Sequence, residues 1–593
     1  MENIVFTLLS CIFFMALVAW YSYRKTKNQV NDSTGYFLAG RGLTGGFIAG
    51  SLVLTNLSAE QLIGLNGQAY NANLANMAWE VTAGFSVIIL ALVLLPRYLE
   101  GAFTTLPEFL SHRFDQGVRI YAVVLFMLGY GLVTIPSVLY SGSIAVLQLF
   151  DVPSLLGITF EQAIWVVVWI IGIIGACYAI FGGLKAVAIS DTLNGIGLLI
   201  VGILVPILGF IALGDGRLLN GMKIMATNAP EKLNAIGSST DAVPVGTIFT
   251  GMIFMNLFYW GTNQYVIQRT LGAQSLAEGQ KGALLTGFLK ILVPFLMMIP
   301  GVIAFHLYGP DLETMDLAYP TLIDHLLPTA LSGFFLAVLL GAVFSSFNSL
   351  LNSAATMFVY DIYQVKINRH ATDKQMIRVS QWFGTALALI TFFTAPLLLK
   401  APDGLWNIIR EFTGFFNIPI IAIVLVGIFT KRVPPIGPKI VIIFHVFVYY
   451  MLLWGLPTFF GISITMNFVH VSGILFVIEV AIMLIAGLIR PLADHVQFQS
   501  SAQVDLVPWK YAIPTSIVIL SCIGFTYILF SPIGLAYADG IVSPWFWPST
   551  IGLIVLTIIL FSISVKSWNA KYTDVVAKNY AEAAEKSTPI KNV

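Results

Sequence analysis

Apolar runs of membrane-crossing length alternate with short polar stretches along the whole chain. The first run, Ile4 to Tyr23, is followed rather than preceded by Arg24, Lys25 and Lys27, so it reads as a retained membrane helix that starts outside, not as a cleaved signal. Further runs lie near 42–67, 72–97, 118–148, 161–181, 186–213, 244–266, 282–307, 328–362, 376–400, 407–429, 438–460, 464–488, 509–531 and 545–566, each close to or above the twenty or so residues a bilayer needs. The pattern predicts about fifteen transmembrane helices, with fourteen as the alternative count.

One run carries a polar interruption. Between Gly42 and Gly67 stand Thr55, Asn56, Ser58, Glu60 and Gln61. Hydrocarbon does not tolerate so many polar groups unless they face water, a ligand or one another, and an acid among them points to a site more than to interhelical glue. A second interruption, Asn256-Leu-Phe-Tyr-Trp-Gly-Thr-Asn-Gln264, occupies the matching place when five helices are counted from Gly42 and five from Pro244. Paired interruptions of this kind predict a five-plus-five inverted repeat with its binding site near the midplane. The predicted organisation is a peripheral N-terminal helix (1–30), a first repeat (42–231), a second repeat (244–429), peripheral C-terminal helices (438–566) and a cytoplasmic tail (567–593).

Composition agrees: of 593 residues 58% are hydrophobic and only 10% charged, and the net charge of +1 offers no nucleic-acid surface. Basic residues concentrate in alternate loops, among them Arg97, Arg113, Arg269, Lys281, Lys431 and Arg432, and place those loops and the C-terminus in the cytoplasm. The facing loops hold acids, as in Asp311, Glu313, Asp316 and Asp324. Cys11, Cys177 and Cys522 suit neither a disulfide framework nor a metal site.

Other polar residues fall inside apolar runs. Trp79-Glu80 sits in the second core helix, Asp191 near the cytoplasmic end of the fifth, and Ser345-Ser346, followed by Asn348, Asn352 and Ser353, in the eighth. Hydroxyls joined to carbonyls freed where a helix unwinds form an oxygen cage suited to a weakly held alkali cation. Lys290, in the seventh core helix, is read either as an ion pair with a buried acid or as a solute contact. Arg410 opens the tenth, from which it could snorkel to the interface.

Asn56-Leu-Ser-Ala-Glu-Gln61, Asn256-Leu-Phe-Tyr-Trp-Gly261, Asn263-Gln264-Tyr265, Gln268-Arg-Thr-Leu271, Lys281-Gly282 and Ser345-Ser-Phe-Asn-Ser349 resemble, in this order, the sodium:solute symporter family, nearest its sodium/sugar branch. The resemblance implies a sodium ion held by carbonyls of Leu54, Leu57 and Ala342 and hydroxyls of Ser345 and Ser346, with Asp191 as a nearby acid. It places solute contacts at Gln61, Glu80, Asn256 and Lys290, a cytoplasmic-side gate at Tyr259, and supporting residues at Asn56 and Trp260. Sugar-carrying members have Gln, Tyr and Ser where this chain has Arg410, Trp79 and Ala83. A guanidinium favours a carboxylate or phosphate, or else pairs internally with Glu80, and the second arrangement is the one expected here.

The expected activity is sodium-coupled symport of a small polar solute into the cell, a sugar or polyol first and an anionic solute such as an acidic sugar second. No cofactor beyond the coupling ion is implied; the partners are the solute, sodium and the bilayer of the cell membrane. The sequence carries no metal-ligand pair and no nucleophile with a base at helical spacing, which argues against an enzyme. A membrane sensor on the same scaffold is the alternative of a different class, and the short tail from Ser567 leaves no room for a signalling domain.

Overall fold

A computed structural model describes residues 2–26, 33–150, 152–312, 315–400, 405–492 and 503–587. The side chains of Glu60, Cys177, Lys185 and Asp316 lie outside the description, as does Glu313 altogether. Among the described residues the chain is helical with no strand beyond two isolated bridges. The helices used below are α1 (Glu2–Thr26), α2 (Gly45–Asn56), α3 (Ala59–Asn71), α4 (Leu74–Glu100), α5 (Gln116–Leu147), α6 (Phe160–Leu213), α7 (Gly251–Gly261), α8 (Gln264–Leu271), α9 (Leu276–Ile291) and α10 (Val293–Tyr308). They continue as α11 (Ala318–Leu326), α12 (Thr329–Met357), α13 (Asp373–Thr394), α14 (Leu405–Phe429), α15 (Ile436–Tyr450), α16 (Phe468–Ile489), α17 (Ala512–Leu529) and α18 (Phe546–Ser587).

Among the described residues eleven helices are long and apolar enough to cross a membrane, or up to thirteen if the bent pairs α2/α3 and α9/α10 each make one span. The remaining two expected spans are shorter: Phe160–Ala176, and the interrupted α7–α8. The stretch named α6 comprises two separate pieces, Phe160–Ala176 and Val187–Leu213. Gly175 lies beside Phe344 and Phe347 while Gly197 lies beside Val338. A straight helix would hold the two glycines about 33 Å apart, yet their neighbours on α12 are only about 13 Å apart, so the halves double back. The last helix does not stop at the expected membrane limit of 566 but runs on to Ser587.

Bends follow local chemistry. Pro294 has no amide to close on Lys290 O, and the 50° bend between α9 and α10 falls there, placing Lys290 at the break. The α2/α3 bend of 56° has no proline or glycine at the break. Instead Leu57 (ψ 79°) and Ser58 (ψ 171°) leave the helical region, and the Ser58 side chain makes no capping bond to the helix that follows. Gly45 lets α2 approach α9 closely, since a Cβ there would meet Lys281 Cβ at 2.9 Å.

Candidate functional site

At the α2/α3 break two carbonyls lose their helical donors. The Ser58 amide, which would close on Leu54 O, donates to Asn56 O (2.9 Å), and the Gln61 amide, which would close on Leu57 O, donates to Ser58 O (3.1 Å). Both carbonyls sit in buried residues, where an unsatisfied acceptor is costly. Thr55 O is taken by Ser346 Oγ of α12 at 3.4 Å, and Ala342 lies buried one turn before Ser346. Ser345 lies against Asp191, but its Oγ makes no hydrogen bond among the described residues. Leu54, Leu57, Ala342, Ser345 and Ser346 thus come from the α2/α3 break and the facing turn of α12, and their carbonyl and hydroxyl oxygens carry no full charge.

Asp191 of α6 accepts from Ser51 Oγ (2.7 Å), and its Oδ2 lies 3.8 Å from Arg269 Nη2. Arg269 also donates from Nε to Ser51 Oγ (3.1 Å), and to Ser349 Oγ and Tyr265 O. Reading the sequence singled out Asp191 but missed Ser51 and Arg269 as its partners. Ser51 stands one helical turn before Thr55 and Arg269 lies in the Gln268–Leu271 motif, so the signal was present in both.

The solute-sized cavity lies next to the break. It encloses ≈ 90 Å³, several times the ~10–15 Å³ that one water occupies by the same measure, and Asn56, Gln61, Glu80, Asn256, Lys290 and Arg410 line it. Lys290 donates to Glu80 Oε2 and to Asn56 Oδ1, tying α9 to α4 and α2. Gln61 Nε2 donates to the other Glu80 oxygen at 3.1 Å. Asn256 Nδ2 donates to Thr82 Oγ1 at 2.8 Å, a partner the sequence did not mark. The expected Arg410–Glu80 arrangement is replaced: Lys290 is the cation on Glu80, and Arg410 lies over the Trp79 ring at 4.6 Å.

Tyr259 accepts from Tyr265 Oη at 2.9 Å and packs edge-on against Trp260, whose ring faces Lys290 Nζ at 5.7 Å. The second interruption, between α7 and α8, is held by side chains: Tyr98 Oη donates to Gly261 O (3.0 Å) and Tyr130 Oη to Asn263 Oδ1. The Asn263 amide, which would close on Tyr259 O, donates to Phe258 O (2.9 Å), so this break too frees a carbonyl.

Donor and acceptor arithmetic gives the hydrogen-bonding capacity left in the cavity lining. Lys290 has three donors and spends two on protein partners. Gln61 Oε1 and Asn417 Oδ1 accept nothing among the described residues. A solute meeting these groups must both donate and accept hydrogen bonds.

A helical membrane bundle with two interrupted helices around one buried polar cavity is a transporter of the inverted-repeat class. The chain belongs to the sodium:solute symporter family, whose model matches residues 36–438. It is 41% identical over 566 residues to the uncharacterized symporter YidK of Escherichia coli K12, covering 95% of this chain and 96% of that one. Identity is 32% over 439 residues to the sodium/glucose cotransporter of Vibrio parahaemolyticus, covering 70% and 78%. It is 30% over 464 residues to the mouse sodium/myo-inositol cotransporter 2, covering 72% and 66%. The solved substrate-bound, outward-open structure of a Na+-coupled sialic acid symporter superimposes with a TM-score of 0.70 at 20% identity, over 82% of this chain and 99% of that one, and shows the same fold. Family and relatives are transporters, not enzymes.

Proposed function

We propose that the protein couples inward movement of sodium to uptake of a small, hydroxyl-rich neutral solute, a sugar or polyol, by alternating access in the cell membrane. The observation that carries this reading is that one interrupted helix serves both regions: the Leu54 and Leu57 carbonyls lose their helical donors at the break, and Gln61 beyond it lines the cavity. Coupling requires each ligand to change the other's affinity, and a shared bistable element provides it. A hydroxyl both donates and accepts, as the Lys290, Gln61 and Asn417 inventory demands. Two of the relatives carry sugar or inositol in their names.

Sodium in the cage stabilises the outward-open arrangement and a formed cavity, solute binding permits closure, and inward opening loosens the cage. Leu54, Leu57, Ala342, Ser345 and Ser346 hold the ion and Asp191 aids its entry or exit. Gln61, Glu80, Asn256 and Lys290 hold the solute, Tyr259 closes the pocket, and Asn56, Trp79 and Trp260 support it. A second reading, an acidic sugar, is favoured by one observation, the Arg410 guanidinium in the cavity wall. Uptake of radiolabelled neutral sugar, polyol and acidic sugar into proteoliposomes, with and without an inward sodium gradient, tests both; accumulation independent of the gradient overturns the coupling.

A further inference from the structure

Outside the cavity and away from Asp191, the described membrane helices hold a further fully buried acid–base pair. His445 of α15 and Glu479 of α16 both have no solvent exposure, and His445 Nδ1 lies 2.5 Å from Glu479 Oε1. The other imidazole nitrogen, Nε2, is 2.9 Å from Gly414 O on α14. A carbonyl only accepts, so Nε2 carries a hydrogen. Two lone pairs do not face each other at 2.5 Å, so a second proton lies between Nδ1 and Glu479, whether assigned to the imidazole or to the carboxyl. The pair is neutral overall in both assignments, the state that burial in apolar surroundings favours.

The acceptor on α14 is significant. Ile409, Arg410, Thr413, Phe416 and Asn417 of the same helix line the solute cavity. One turn along α15, Tyr449 stacks on His445 (ring centroids 5.2 Å apart) and its Oη donates to Glu411 O at 3.0 Å. A Cβ at Gly414 would meet Tyr449 Oη at 2.0 Å, so only glycine admits this approach. Two carbonyls of α14 are therefore clamped from behind the cavity wall.

We propose that His445 and Glu479 form a proton-binding site, separate from the sodium cage, whose bound proton holds α14 in position to form the solute cavity. With both protons present the imidazole serves Glu479 and Gly414 together. When one leaves to water, a single N–H remains for two acceptors, Glu479 or Gly414 O, and the clamp is lost. The site therefore works at low and neutral pH and fails as pH rises. The titratable side chain stacked on it is Tyr449 of α15, whose Oη reaches the Glu411 carbonyl of α14. The Lys439–Asp115 pair and His470, bonded to Thr250, lie about 9 and 13 Å away along α15 and α16.

His445 and Glu479 are positioning residues, so the test reads solute half-saturation separately from maximal rate, and it rests on the uptake proposed above. In proteoliposomes the wild type is expected to show a half-saturation concentration that rises about fivefold between about pH 7 and about pH 9.5, the equivalent of one lost hydrogen bond, with little change in maximal rate. Glu479→Gln supplies an amide donor to Nδ1 and leaves Nε2–H on Gly414 without needing the extra proton, so its profile should be flat at the neutral wild-type value. His445→Leu should be raised at every pH. Should His445→Leu fail to fold, Glu479→Gln still decides the matter. A wild type without the alkaline rise, or Glu479→Gln retaining it, overturns the proposal. Infrared pH-difference spectra of the reconstituted protein need no solute: a buried titration present in the wild type and lost in Glu479→Gln supports the site, and its absence in the wild type overturns the site whatever the uptake assay gives.

Discussion

Lys290 closes onto Glu80 from the end of α9, and the two side chains are nearly inaccessible to solvent. Two opposite charges in one cavity wall offset each other's desolvation, while removal of either leaves the other buried and unpaired. Lys290→Gln alone or Glu80→Gln alone should therefore cost about 3–5 kcal/mol, read as lowered thermal stability of the purified protein or loss of uptake, and the double variant should recover part of it. A double variant no better than the worse single would show that each group acts on the solute independently.

The ion cage gives a second expectation. Ser345→Ala with Ser346→Ala removes two hydroxyls facing the α2/α3 break, at roughly 1–2 kcal/mol for each lost ligand, and should raise the sodium concentration for half-maximal uptake about tenfold or more. Solute affinity at saturating sodium should change far less. Unchanged sodium dependence would remove Ser345 and Ser346 from the cage.

The sequence showed some of this and hid the rest, for physical reasons. Polar residues inside apolar runs are expensive, so Asn56, Gln61, Glu80, Asp191, Lys290 and the serine pair stood out, and the structure places them around the α2/α3 break. Pairing was another matter. Periodicity places Glu80, Lys290 and Arg410 on three helices but says nothing of how these helices cross, and that crossing decides which cation reaches Glu80. The release of the Leu54 and Leu57 carbonyls depends on where the Ser58 and Gln61 amides turn, a backbone event that side-chain patterns do not record. His445 and Glu479 were passed over because each is a single polar residue in a long apolar run and their closeness comes only from the packing of α15 on α16.

Orientation is open to direct test. Asp311 lies exposed in the acidic loop after α10, and Ala570 is exposed in the basic part of α18. In a background with the three native cysteines replaced, Asp311→Cys should react with an impermeant thiol reagent added to intact cells, and Ala570→Cys only after the membrane is permeabilised. Labelling of Ala570→Cys from outside would mean an even number of crossings.

Arg410 separates the two solute readings. Its guanidinium lies over Trp79 in the cavity wall, while the Glu80 charge is met by Lys290, so Arg410→Gln leaves the buried pair in place and changes the wall's own charge. Loss of the stacking contact costs about 0.5–2 kcal/mol and weakens every solute alike. Loss of a charge contact to a carboxylate costs about 2–5 kcal/mol and affects only an anionic solute. For Arg410→Gln we expect neutral-sugar half-saturation to shift by no more than the stacking contribution and acidic-sugar uptake to fall by the larger amount. Uptake of one neutral and one acidic sugar, measured in the wild type and Arg410→Gln at the same sodium concentration, separates the contributions. An equal loss for both sugars would assign Arg410 to holding Trp79 in place and remove the basis for an acidic solute.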